Sequence, residues 1–232
     1  MREKLVHVIN ELKNYYDGEK NSPDIQKLKG MLREFEEELV WANYGVRVKD
    51  VHHLRLGFYK GDIFTEQPQK KRDVTPILDQ LRELRPNVIT LAMDPEGSGP
   101  DTHYKVLQSI AEAVRLWSKE ADLSNLKIWG YRNVWYRFDL AEADIIVPVT
   151  LNSMAILNST FMNCYLSQKD ASFPSYEYDG PFCELSQKIW VEQHRDLQLM
   201  LGRDYWYRNE NPHLRAVHGA VSYTHLTLPT KA

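Results

Sequence analysis

Cysteine is scarce in this chain: only Cys164 and Cys183 occur, in no metal-ligand spacing. That argues against a disulfide framework or a thiolate metal centre. Charge of one sign is also missing, since 29 basic residues stand against 32 acidic ones for a net of -3. A nucleic-acid footprint would need clustered Lys and Arg, so no nucleic-acid partner is expected. No apolar run approaches the roughly 20 residues that span a bilayer, so no membrane partner is expected either. The start, Met1-Arg2-Glu3-Lys4, is polar and is followed by no secretory-type apolar segment. Internal repeats and low-complexity stretches are absent. What is present, 43% hydrophobic and 11% aromatic residues over 232 positions, is too apolar for a disordered chain and enough for one large core. The composition therefore predicts a soluble, cytoplasmic, single-domain protein.

The last twelve residues, 221–232, read Val-Ser-Tyr-Thr-His-Leu-Thr-Leu-Pro-Thr-Lys-Ala and show no clear periodicity. Their start back-translates as GTC-TCT-TAT-ACA-CAT-CTG, which resembles the transposase adapter end used in sequencing-library preparation. A natural frayed tail is the alternative. The expected organisation is a domain over 1–220 and a non-native tail over 221–232, set aside from fold reasoning like any fusion scar.

Two amphipathic helical stretches open the chain. Residues 1–16 place Leu5, Val8, Ile9, Leu12 and Tyr16 on one face, and residues 23–41 do the same with Leu28, Met31, Leu32, Phe35 and Leu39. Ser22-Pro23-Asp24 suits a helix start, with Ile25 left to the cap region. Residues 51–56 read as a short strand and 57–65 as a loop. Residues 74–84 read as a helix stopped by Arg85-Pro86. The run 87–92 is a buried-strand pattern rich in β-branched residues, followed by a turn-dense loop over 93–101. Residues 102–119 are helical by spacing, 127–131 and 145–149 are strands, and 151–166 and 184–201 are helices. Strands alternating with helices of this length predict an α/β layered fold, Rossmann-like, with a mostly parallel sheet. Function in such sheets collects at the C-terminal ends of the strands, where the 93–101 loop falls.

That loop and the helix start behind it carry the most chemistry: Asp94-Pro95-Glu96-Gly97-Ser98-Gly99-Pro100-Asp101-Thr102-His103. An imidazole near a helix N-terminus can ligate zinc while a carboxylate orients it. Alternatively, Asp101 or Thr102 caps the helix and His103 is a surface residue. The Gly-Ser-Gly portion lacks the lysine and spacing of a P-loop and fits no dinucleotide fingerprint.

In order and content, four stretches resemble the PIG-L/LmbE family of zinc-dependent N-deacetylases. They are His53-Leu54-Arg55-Leu56-Gly57-Phe58-Tyr59, the 94–103 motif, Ile128-Trp129-Gly130-Tyr131-Arg132-Asn133-Val134-Trp135 and Ile146-Val147-Pro148-Val149. Tyr165-Leu166-Ser167-Gln168 is a weaker fifth. The chain is closest to the form found behind a glucosamine-6-phosphate deaminase-like domain in bacterial fusion proteins. The resemblance implies that His103 is a zinc ligand, that Asp101 is its orienting or electrophilic, catalytic neighbour, and that the substrate is a small amino sugar. It also implies a deaminase-like domain upstream in the parent protein. The family's remaining ligands and its general base lie in a His-Pro-Asp-Asp motif that this sequence does not contain. The first strand and its motif are therefore expected to be missing. Tyr165 stands where the related fusion proteins tend to have His.

Catalytic zinc needs three protein ligands as a rule. Zinc is thus expected in the full-length parent but not tightly bound by this chain, which is expected to be inactive as given. Arg132, in the aromatic and basic run 131–137, suits a sugar or phosphate oxygen, or edge packing with cation–π contacts. The resemblance places Tyr59 and Asp62 among substrate contacts. His52 and His53 alternate across the expected strand and cannot share a face. His194 reads as a solvated surface residue, and 203–208 as an interface or a packed turn. Competing with the enzyme fragment is a non-catalytic binding or scaffold module that keeps the deacetylase fold. A nucleotide-binding domain is a fainter third reading, and its glycine fingerprint is absent.

Overall fold

The β-branched run beginning at Val88 favours extended backbone and forms β1 (Val88–Ala92). It pairs in parallel with β2 (Lys127–Tyr131), Val88 opposite Lys127 and Ala92 opposite Tyr131. The crossover between them carries α4 (Asp101–Trp117), making one βαβ unit. The preceding helix, α3 (Thr75–Leu84), ends at Arg85 in the left-handed conformation, φ 45°, just before Pro86. The main core lies where α3 and α4 cover this pair of strands, with Ile77, Leu81, Leu91, Val114, Trp117 and Ile128 all buried. This computed structural model describes residues 2–16, 19–58, 65–93, 101–132, 137–171 and 179–226.

The second half adds β3 (Ile145–Thr150), α5 (Leu151–Cys164), α6 (Phe182–Leu201), the short α7 (Arg203–Tyr207) and α8 (Pro212–Arg215), and β4 (Val217–Leu226). The sheet order is β1-β2-β4-β3. β4 lies between β2 and β3 and is antiparallel to both. The sheet is α/β as expected, but it is mixed and not mostly parallel: β1–β2 is the parallel pair. β2 and β3 run the same way, yet the segment separating them enters from the opposite end. β4 runs across residue 220, the expected boundary. Val221, Tyr223 and Thr224 suit extended backbone; Val221 pairs with β3, Thr224 with β2 and Tyr223 with both.

The N-terminal helices are α1 (Arg2–Lys13) and α2 (Pro23–Asn43). Ser22 caps α2, its hydroxyl accepting from the Ile25 N–H at 3.4 Å. Apart from the buried Val8, the expected apolar stripes do not face the core. Met31 and Phe35 are more than half exposed, whereas Ile25 and Glu36 are buried at 1% each. α2 meets the rest of the chain on the Ile25 and Glu36 side, roughly a quarter-turn around the helix from the stripe. Polar contacts to α5 and its following turn set that orientation.

Residues 51–56 form no strand. Arg55 takes φ 49°, and pairs along α2 hold the segment instead: His53 Nε2 lies 3.3 Å from Glu38 Oε1, and Arg55 Nη2 donates to Glu34 Oε2 at 2.8 Å. His194 is also corrected. It is 7% exposed, and its ring meets Trp206 edge-on at 4.9 Å. Trp206 belongs to the small core with Leu197, Val217 and Ala220, and it anchors α7, whose other residues are exposed. No helix among the described residues is long and apolar enough to cross a membrane.

Candidate functional site

Parallel pairing of β1 and β2 brings their C-terminal ends to one edge of the sheet. The Met93 N–H donates to the Tyr131 carbonyl at 2.7 Å, extending the pairing to the last strand residues. Gly130 permits this closeness, since a Cβ there would lie 2.7 Å from the Met93 sulfur. Chain segments leaving this edge lead to Asp101 on one side and Arg132 on the other.

Asp101 opens α4, where a carboxylate complements the helix dipole. It is not a bare cap. Lys105, one turn on, is 4% exposed and donates from Nζ to Asp101 Oδ2 at 2.5 Å. Lys105 also donates to the Thr65 carbonyl at 3.2 Å and to the Thr65 hydroxyl, which in turn donates to Asp101. The Lys105 ammonium first, and the Thr65 hydroxyl second, hold the Asp101 carboxyl below its ordinary range. Near neutral pH it is a paired anion, poorly suited to accept a proton from water. Replacing Lys105 with Met removes the main cause. The Asp101 carboxyl then titrates at higher pH, moving toward the ordinary 3.8. Carbon-detected NMR titration reads this directly, and an unmoved midpoint refutes the pairing.

His103 is half-buried in the first turn of the same helix. Among the described residues, no group of three or more His, Cys, Asp or Glu side chains is placed to hold a metal ion. Tyr59, Asp62 and the 94–100 portion of the loop lie outside the described residues.

Arg132 follows β2. Its guanidinium lies 4.2 Å over the Phe138 ring, and Nη1 donates to the Arg137 carbonyl at 3.2 Å and to Glu142 Oε2 at 3.4 Å. The expected packing on an aromatic face is present, and the arginine also lines a cavity against α6. Its buried Nε has no hydrogen-bond partner among the described residues.

Tyr165 is spent elsewhere. It follows α5 and its phenol donates to Glu37 on α2. Burial first, and the Glu37 carboxylate second, push its hydroxyl far above the ordinary range. Sequence reasoning missed Lys105 and Thr65. The lysine was within reach, because a charge pair at i, i+4 is a recognisable helical signal. Nothing local announces Thr65, which lies 36 positions before Asp101.

A protein of Bacteroides thetaiotaomicron is similar to this chain. It is named as glucosamine-6-phosphate deaminase-like, and identity is 27% over 176 residues. The matched part is 74% of this chain and 26% of the relative, so the chain spans about a quarter of that protein's length. No protein-family model matches the chain, and no solved structure does.

Proposed function

We propose that this chain is part of an amino-sugar-metabolism protein, carrying a deacetylase-like domain of the PIG-L/LmbE type that does not hydrolyse its substrate in the present form. The observation that carries the amino-sugar reading is the 176-residue similarity to a protein named glucosamine-6-phosphate deaminase-like. The Asp101 to His103 helix start at the C-terminal edge of a parallel strand pair supports the deacetylase resemblance. In the parent protein, His103 would ligate zinc, Asp101 would stand beside it, and Arg132, Tyr59 and Asp62 would contact the sugar. A deaminase-like domain would precede this one.

Bound zinc would lower the pKa of a water and polarise the amide carbonyl. Among the described residues, the donor set does not fit that role. His103 supplies one imidazole, and the Asp101 carboxylate is held by an ammonium and a hydroxyl. Catalytic sites normally supply three protein ligands. The chain's own residues therefore order the α4 start and line a sugar-sized cavity without completing a hydrolytic centre.

Isothermal titration with zinc is expected to show only weak binding, and incubation with N-acetylglucosamine 6-phosphate and zinc no release of acetate. A tight one-to-one zinc isotherm, or turnover abolished by His103→Ala, overturns this reading. A second reading, a binding module that keeps the fold, is favoured by Tyr165, whose hydroxyl serves as a tie between α5 and α2. Sugar binding without turnover, even when the upstream parent sequence is restored, would select it.

A further inference from the structure

The cavity beside Arg132 has a chemistry of its own. Its volume is about 220 Å³, and it lies between the sheet and one face of α6. That is below the roughly 300–1,000 Å³ of sites for drug-sized ligands, so it suits a single small ring. Phe138, Trp190 and Tyr223 supply aromatic wall, on which the C–H faces of a small ring can pack.

The polar groups are few and buried. Ser186 and Gln193, seven residues apart on α6, both line the cavity and are 7% and 4% exposed. Seven residues are close to two helical turns, which puts both on one face. Ser222, 6% exposed, also lines it, and its Oγ has no hydrogen-bond partner among the described residues. The same holds for the Arg132 Nε. Hydroxyl and amide groups both donate and accept, as sugar hydroxyls do. Arg132, Ser186 and Gln193 all precede residue 221, so the greater part of this polar set lies outside the adapter-like string.

Charge decides between a sugar ring and a phosphate. Arg132 is matched by Glu142 at 3.4 Å, and Arg137 is ion-paired with Glu192. Two guanidinium charges meet two carboxylates, which leaves little net positive charge for an anion. Phosphate sites instead present arginines whose forks are open to the ligand. Carboxylate-fixed guanidinium groups remain good oriented donors to uncharged hydroxyl oxygens. We infer that this cavity binds one uncharged monosaccharide ring, gripped by Ser186, Gln193 and Arg132 against the aromatic wall.

The choice of an amino sugar as ligand rests on the proposed function, whereas the preference for an uncharged ring rests on the cavity. Saturation-transfer NMR and calorimetry on the full 232-residue chain, with N-acetylglucosamine, glucose and glucosamine 6-phosphate as probes, test both. Uncharged sugars are expected to bind. Gln193→Leu and Ser186→Ala are each expected to weaken binding roughly tenfold, as loss of one buried hydrogen bond does. Circular dichroism checks that each variant folds, and Ser186→Ala carries the test if Gln193→Leu does not. Binding of the phosphorylated sugar alone overturns the cavity inference and leaves the amino-sugar reading standing. Binding of glucose without N-acetylglucosamine supports the cavity and counts against that reading. No binding by any probe, or binding indifferent to both substitutions, overturns the inference.

Discussion

Asp73→Ala is expected to lower stability by about 3 kcal/mol, the cost of leaving buried donors without their charged acceptor. For a chain of this size that is a fall in Tm of roughly 6–12 °C. Asp73 is fully buried. Its two oxygens accept from the Gly57 N–H at 2.7 Å, the Gln69 N–H at 2.8 Å and the Arg72 guanidinium at 2.9 Å. Gly57 itself is suited to the arrangement, since a Cβ there would clash with the Arg72 side chain. One carboxylate thus pins both ends of the stretch between residues 57 and 69, which includes Thr65. Loosening it should also loosen the hold of Thr65 on Asp101 and Lys105.

The same residue sets an acid limb. Burial alone pushes the Asp73 carboxyl up, but the Arg72 guanidinium and the two backbone N–H groups outweigh it and hold it below the ordinary 3.8. The unfolded chain therefore takes up the proton first. Stability from this group is fully present above about pH 3.8 and is lost as pH falls through the lower folded value. Urea denaturation across that window should show the gap between the parent chain and Asp73→Ala closing toward low pH. A gap that stays constant with pH, or a Tm change under about 2 °C, would refute the assignment.

Much of the backbone was legible because it rests on local signals. β1 announces itself by β-branched content, β2 by Ile128 and its aromatic neighbours Trp129 and Tyr131, and α3 and α4 by three- and four-residue apolar spacing. Arg85-Pro86 ends α3 where the steric rule places it. What could not be read were features set by distant partners. The stripe Leu28, Met31, Leu32, Phe35 and Leu39 has textually perfect helical spacing, yet the orientation of α2 follows Glu36, a charged residue that no periodicity marks as buried. β4 needed knowledge of an open position between β2 and β3. His194 carries charged neighbours in sequence, but α7 folds back and covers it with Trp206. At the candidate site, Asp101, His103 and Arg132 were identified as residues. Of their partners, Lys105 was within reach as an i, i+4 charge pair, whereas Thr65, Phe138 and Glu142 come from the fold.

Glu36→Ala is expected to cost about 2 kcal/mol, concentrated in the attachment of the N-terminal helices. Glu36 is 1% exposed and accepts twice from Ser167, from the N–H at 2.7 Å and the hydroxyl at 2.6 Å. Hydrogen bonds to a charged acceptor are stronger than neutral ones, and few apolar contacts replace them, because Ile25 is the other residue α2 buries. Tyr165 to Glu37 and Asn43 to Thr160 complete a polar seam along α2 and α5. Ser167 is itself exposed, so water can partly satisfy its donors after the substitution, which keeps the cost below that of Asp73→Ala. Such a seam should fail locally. Amide exchange in α2 should accelerate while α4, packed through Val114 and Trp117, stays protected. Glu36→Gln keeps one acceptor oxygen and should recover part of the loss. If Glu36→Ala instead accelerates exchange equally in α2 and α4, the N-terminal helices are part of a single cooperative unit and the polar seam is not what holds them.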